Sequence, residues 1–133
     1  MKVLWVTNVP PQNIGSIKGY GGGGWIAGAH ESISRQKDMQ ITITYPLLGT
    51  HAIQKESHGN TVLIGFPQKP IMNSIPLPRG KLSKLEKDTI KKIIDEVNPD
   101  ILHVFGTESF HSRVFIEYFK NPEKTVIHIQ GMV

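Results

Sequence analysis

The sequence predicts an α/β protein: a doubly wound, mostly parallel sheet with helices on both faces and a β-hairpin insertion. Three observations predict it. Short β-branched runs alternate with stretches of helical periodicity in the order β-α-β-(β)-α-β-α-β, which calls for right-handed crossovers between parallel strands. Asn98-Pro99 and Asn121-Pro122 punctuate the second half where helices must stop before strands begin. A glycine-rich stretch, Gly19-Tyr20-Gly21-Gly22-Gly23-Gly24, separates the first strand from the first helix, where such folds place a phosphate-binding corner.

Each element has its own justification. Lys2 to Thr7 is a β-branched and aromatic run of the kind buried on both faces, and the polar, proline-containing Asn8 to Lys18 follows as a loop. Trp25, Ala29 and Ile33 recur at i, i+4, i+8 and predict a helix to Ser34 with one buried face. Ile41 to Tyr45 is a second strand, stopped by Pro46. Ala52 to Glu56 and Thr61 to Phe66 flank Ser57-His58-Gly59-Asn60, a hairpin turn. Pro67 to Arg79 reads as an extended surface loop, and a loop that long in a compact domain is more often functional than idle. Leu82, Leu85, Ile90, Ile93, Ile94 and Val97 form the apolar stripe of a strong helix. Ile101 to Phe105 is the next strand. Gly106-Thr107-Glu108-Ser109 then turns into a helix carrying Phe110, Val114, Phe115, Tyr118 and Phe119 inward, and Thr125 to Gln130 is the last strand.

The chain has 133 residues, with 38% hydrophobic and 20% charged, the proportions of one ordinary globular domain. No apolar run approaches the roughly 18 residues of a membrane span, and Thr7 and Asn8 interrupt the first run too early for a signal peptide. A cytoplasmic location is expected. With no cysteine, a disulfide framework and a thiolate zinc site are excluded. The net charge of +4 suggests an anionic partner. Lys84, Lys87 and Lys91 share a helical face; such runs are usually solvated, with peripheral contact to an anionic membrane as the functional alternative. Nucleic acid is not expected, because no basic patch is interleaved with aromatic residues.

Gly21, Gly22, Gly23 and Gly24 precede a helix, where free N–H groups and the helix dipole favour a phosphate. A standard dinucleotide site is disfavoured: about ten residues separate the first strand from Gly19, and the second strand ends without an acid to hold a ribose. Trp25 stands where a Walker A loop needs Lys, so that motif is excluded too. Glycine kept for conformational reasons alone is the bland alternative. Ligands of open α/β sheets bind at the carboxyl ends of strands near the switch point, here Asn8 to Pro11, Gly106 to Ser109 and Gln130-Gly131. Asn8, His103, Gly106, Thr107, Glu108 and Gln130 are therefore expected to line one cleft, with Glu108 and Gln130 as catalytic candidates. His103, inside its strand, also has a structural reading, as does His128. Ser34 replaces the second histidine of H-E-x-x-H, no G-x-S-x-G occurs, and His51, His58 and His111 show no ligand spacing.

Taken in order, four segments resemble the amino-terminal half of family 4 glycosyltransferases of the GT-B fold. They are Met1 to Asn8, Gly23-Gly24 before a helix, Asn98 to Glu108, and Val126 to Gly131. The resemblance implies that 1–133 is the Rossmann-like, incomplete amino-terminal half of a GT-B fold, a fragment inactive without a carboxyl-terminal donor domain. It implies a hexosyltransferase that moves sugar with retention, without metal or other cofactor, from a nucleotide-sugar donor to a glycan or lipid-linked acceptor in polysaccharide biosynthesis. It also implies that Gly23 and Gly24 approach the donor diphosphate. Gln130 occupies a position where many members carry histidine, and glutamine can hydrogen-bond a hydroxyl but cannot become a cation. A GT-B sugar-nucleotide epimerase and a non-catalytic α/β nucleotide-binding module remain as alternatives.

Overall fold

A computed structural model of the chain describes residues 1–16, 24–68, 82–107 and 109–129. Its elements are β1 (Lys2–Val6), α1 (Gly24–Ile33), β2 (Gln40–Leu48), β3 (Gln54–His58), β4 (Thr61–Gln68), α2 (Lys84–Val97), β5 (Ile101–Phe105), α3 (Phe110–Phe119) and β6 (Thr125–His128), the last preceded by a 3-10 turn at Pro122–Lys124. The strands form one six-stranded sheet in the order β3-β4-β2-β1-β5-β6. All neighbours are parallel except β3 and β4, which are antiparallel. This is the predicted doubly wound, mostly parallel sheet with a hairpin insertion.

Alternation along β1 splits the core in two. Leu4 and Val6 face α2 and α3, packing with Ile90, Ile93, Leu102, Val104 and Phe115. Val3 and Trp5 face α1 and pack with Ile26, Ile43, Tyr45 and Phe105. Each strand of the centre is therefore apolar on successive residues, as a sheet covered on both faces requires.

Pro46 does not end β2, contrary to the sequence reading. The N–H and C=O of alternate residues in a strand point to the same side, and the Thr44 carbonyl accepts from Thr7 N–H at 3.0 Å, on the β1 side. Pro46, two residues on, has its nitrogen on that same side, where β1 has already finished, so no ladder bond is lost. Pro67 in β4 uses the same freedom on the β3 side, since β3 pairs no further than Gly65. The hairpin is also tighter than expected. His58 pairs with Thr61, leaving a two-residue turn whose first residue, Gly59, has φ 59°.

α2 begins with a capping box: Ser83 Oγ accepts from Glu86 N–H at 3.2 Å and Glu86 Oε2 accepts from Ser83 N–H at 2.7 Å. It ends at Asn98, left-handed at φ 45°, before Pro99. Leu85, expected in the inward stripe, is instead 72% exposed. On α3 Val114, Phe115, Tyr118 and Phe119 pack inward as expected, but Phe110 is exposed and His111 and Ser112 are buried in addition. Trp25 likewise lies at the rim rather than inside, while Ile26 is the fully buried residue of α1. β6 ends at His128 among the described residues, and its Val126, Ile127 and His128 are exposed.

Candidate functional site

β1 and β5 are adjacent and parallel, but their crossovers diverge: α1 leads to β2 on one side and α3 leads to β6 on the other. The carboxyl ends of β1 and β5 therefore flank a crevice at the switch point. Beyond β1, the Thr7 hydroxyl donates to the Val9 carbonyl at 2.9 Å and turns the chain, presenting Asn8. Beyond β5, Gly106 adopts φ 92° and its N–H donates to the His128 carbonyl at 2.9 Å, which ties the loop to β6. Thr107 is exposed above it.

The two sides meet directly. Ser109 Oγ donates to Asn8 Oδ1 at 2.8 Å, across 101 residues of sequence. Ser109 is the N-cap residue of α3, yet its side chain makes no capping bond to the helix. Neither α1 nor α3 carries an acidic residue in its first turn. Among the described residues, two helix amino termini thus open on this end of the sheet with no carboxylate in their first turns, an arrangement suited to an anion.

A ladder of rings backs the crevice on the α1 face. The His103 ring stacks on Phe105 at 4.0 Å and 23°, and meets Trp5 edge-on at 5.9 Å. Phe105 in turn contacts His128 at 5.5 Å and Trp25 at 5.1 Å. His103 is half-buried, and its Nε2 has no hydrogen-bond partner among the described residues. Burial, and secondarily the His128 charge, push its pKa below the usual imidazole value, so the ring is a neutral packing element at pH 7. His103 thus lies among packed rings beneath the crevice, whereas His128 is exposed on the edge strand.

Of the residues expected in the cleft, Asn8, Gly106, Thr107 and Gly24 are found at this end of the sheet. Gly21, Gly22, Gly23, Glu108 and Gln130 lie outside the described residues. Ser109 ends the segment Gly106 to Ser109 expected at the crevice but was not named among its lining residues; a serine before an apolar helical run signals a cap, and its bond to Asn8 is visible only in the structure. Among the described residues no group of three metal-ligating side chains is found, and no helix is long and apolar enough to cross a membrane. Three concavities of about 330, 290 and 440 Å³ lie away from Asn8 and Ser109: at the amino ends of the strands, beside the start of α2, and along the outer face of α1.

No protein-family model matches the chain, and no curated protein matches it. Among solved structures it is similar to one described as trehalose-6-phosphate from E. coli bound with UDP-2-fluoro glucose, with a TM-score of 0.52 and 12% identity. The match covers 90% of this chain and 30% of that one. At such identity the likeness establishes the fold: the six-stranded sheet and three helices are a partial Rossmann-like domain of the GT-B type.

Proposed function

We propose that the chain is the amino-terminal domain of a GT-B glycosyltransferase, with its motifs nearest family 4, that transfers a hexose with retention from a nucleotide sugar to a glycan or lipid-linked acceptor in polysaccharide assembly. The observation that carries this reading is the convergence of the α1 and α3 amino termini, without first-turn acids, on the β1/β5 crevice bridged by Asn8 and Ser109. The fold similarity to a structure bound with UDP-2-fluoro glucose supports it.

In this reading the backbone N–H groups of Gly21 to Gly24 meet the diphosphate, and their stabilisation grows as negative charge develops on the leaving oxygen. The charge is met by peptide dipoles, with no metal required. Glu108 and Gln130, beyond the ends of β5 and β6, are the polar groups assigned to the reacting sugar. The rest of the donor site belongs to a carboxyl-terminal domain. The enzyme works in the cytoplasm, and Lys84 and Lys91, exposed on α2 beside the exposed Leu85, give it a peripheral contact with an anionic membrane.

Titration of the full-length protein with UDP- and GDP-sugars tests the proposal. Gly23→Val is expected to weaken the preferred donor at least tenfold. Unchanged affinity removes the loop's role, and absence of nucleotide-sugar binding by the wild type ends the transferase reading.

A further inference from the structure

Charged side chains on an edge strand discourage pairing with other chains, and such charges are ordinarily solvated or matched by an opposite charge. On β3 only Lys55 follows that habit, pairing with Glu96 of α2. Glu56, its neighbour on the opposite face, is paired with no Lys or Arg among the described residues. Its carboxylate turns instead to main chain 40 residues earlier: Ser16 N–H donates at 3.0 Å to Oε1 and 3.1 Å to Oε2, and Ser16 Oγ donates to Oε2 at 2.9 Å. His58, two residues along the same face, braces the group with Nε2 2.7 Å from Oε1.

The backbone is shaped for this approach. Asn13 at φ 61° and Gly15 at φ 77° are two left-handed residues in the segment after β1. A Cβ on Gly15 would stand 2.7 Å from Leu63 Cδ1 and 3.0 Å from Glu56 Oε2, so only glycine lets the chain come this close. The same segment also reaches α1, for Gln12 Oε1 lies 3.4 Å from where a Cβ of Gly24 would be. Residues 12–16 are thus tied to β3 and lean on the first residue of the helix.

A carboxylate suits the task. It accepts an N–H and an O–H together, and bonds to an ionised acceptor are about twice as strong as neutral ones. The bonds from Ser16, the main-chain N–H first, hold the Glu56 carboxyl below the usual carboxylate range, so the contact is charged at pH 7. Seven residues, four of them glycine, separate Ser16 from Gly24. A glycine-rich stretch has the most conformational freedom to lose when it meets a ligand. Anchoring its root at Ser16 removes part of that loss beforehand.

We propose that Glu56 is a positioning residue for the nucleotide sugar: it touches no ligand, and by anchoring Ser16 it prepares the glycine-rich stretch and the α1 amino terminus for the diphosphate. The role rests on the transferase reading; the Glu56–Ser16 contact does not.

The test titrates UDP-glucose and GDP-mannose into the full-length protein and follows its amide NMR spectrum from about pH 7 to about pH 3. Glu56→Ala is expected to weaken the preferred nucleotide sugar roughly tenfold, and Glu56→Gln, which keeps one acceptor oxygen, by less. Lys55→Ala breaks the contact on the other face of β3; it should lower the melting temperature as much as Glu56→Ala does while binding as the wild type does. The Ser16 amide should be held at its pH 7 position above the ordinary carboxylate value and move as pH falls through the lowered one, a shift absent from Glu56→Gln. Should Glu56→Ala fail to fold, Glu56→Gln and Ser16→Ala serve, each expected to weaken binding roughly threefold. The role is overturned if the Glu56 variants bind as the wild type does, if Lys55→Ala weakens binding as much as Glu56→Ala, or if the Ser16 amide follows no carboxylate. A wild type that binds no nucleotide sugar sinks the transferase reading and the role with it, while the Ser16 amide still reports the contact; binding equal in wild type and variants sinks the role alone.

Discussion

Asn60 is the residue whose replacement most directly tests how α1 is held. Its Nδ2 lies 3.2 Å from the Ser34 carbonyl, 3.4 Å from that of Gln36 and 3.1 Å from that of Met39. These carbonyls lie in the turns that follow α1, and that of Gln36 also accepts from Met39 N–H at 3.3 Å. One NH₂ has two hydrogens, so about two full bonds are made at a time; at roughly 1 kcal/mol net each, Asn60→Ala should cost about 2 kcal/mol. For a chain of this size that is a fall in melting temperature of about 8 °C. Urea unfolding followed by the fluorescence of Trp5, which is 1% exposed, measures the change. Asn60→Asp sharpens the test, because a carboxylate would face carbonyl oxygens. Its folded pKa would be raised, so the stabilising protonated form is complete below the unfolded value of about 4 and lost as pH rises through the folded pKa. Asn60→Asp should therefore be less stable than Asn60→Ala at pH 7 and regain stability on acidification. Equal stability of the two variants across that range, or a loss under 0.5 kcal/mol for Asn60→Ala, would refute the clamp.

Two further outcomes bear on the crevice. Burial lowers the folded pKa of His103, so its contribution to stability is complete above the unfolded value near 6.5 and is lost as pH falls; His103→Phe should flatten the decline in stability between about pH 7 and 5, as seen in melting temperatures. Ser109→Asp would place a carboxylate at the uncapped start of α3. It should raise stability by roughly 0.5–1 kcal/mol in urea unfolding while weakening nucleotide-sugar binding about tenfold in titration; a gain in both would show that no anion binds there.

Much of this fold was readable from local chemistry. The apolar stripe of Ile90, Ile93, Ile94 and Val97 and the Asn98-Pro99 stop follow from local periodicity and from side chains acting on their own backbone neighbours, and the structure contains both. What was not readable depended on who lies beside whom. Pro46 looks like a strand stop until the early end of β1 makes its missing N–H harmless. On α3 only Phe110 was misplaced: it is bulkier and more apolar than His111, yet His111 is the residue packed edge-on against Phe66 at 5.5 Å. Gly65 carried no signal either: a Cβ there would come within 2.2 Å of Leu47 Cδ1, which is known only once β2 and β4 are in register. The crevice divides in the same way. Position in the topology predicted that Asn8 and the segment Gly106 to Ser109 would share one crevice, whereas the particular bond from Ser109 Oγ to Asn8 Oδ1 depends on rotamers and loop geometry that the sequence does not show.

The hairpin insertion has a role that its own composition does not suggest. β3 reads Gln-Lys-Glu-Ser-His and is exposed apart from a half-buried Glu56, so it adds almost nothing to the core. What it and its turn supply are anchors for α1. Glu56 accepts from Ser16 N–H at 3.0 Å and from Ser16 Oγ at 2.9 Å, fixing the chain ahead of the helix. These bonds and the His58 contact hold the Glu56 carboxyl below its usual range. Thr61 bonds His30 along the side of the helix at 2.6 Å, and Asn60 holds the carbonyls beyond its carboxyl end. All three points of attachment come from Glu56 to Thr61, on the far side of the sheet order from β5 and β6. A helix packed by Ile26 alone as a fully buried residue has little to stop it sliding along its axis, since apolar contact is not directional. Hydrogen bonds at fixed atoms are, so the polar hairpin sets where the amino terminus of α1 opens onto the crevice.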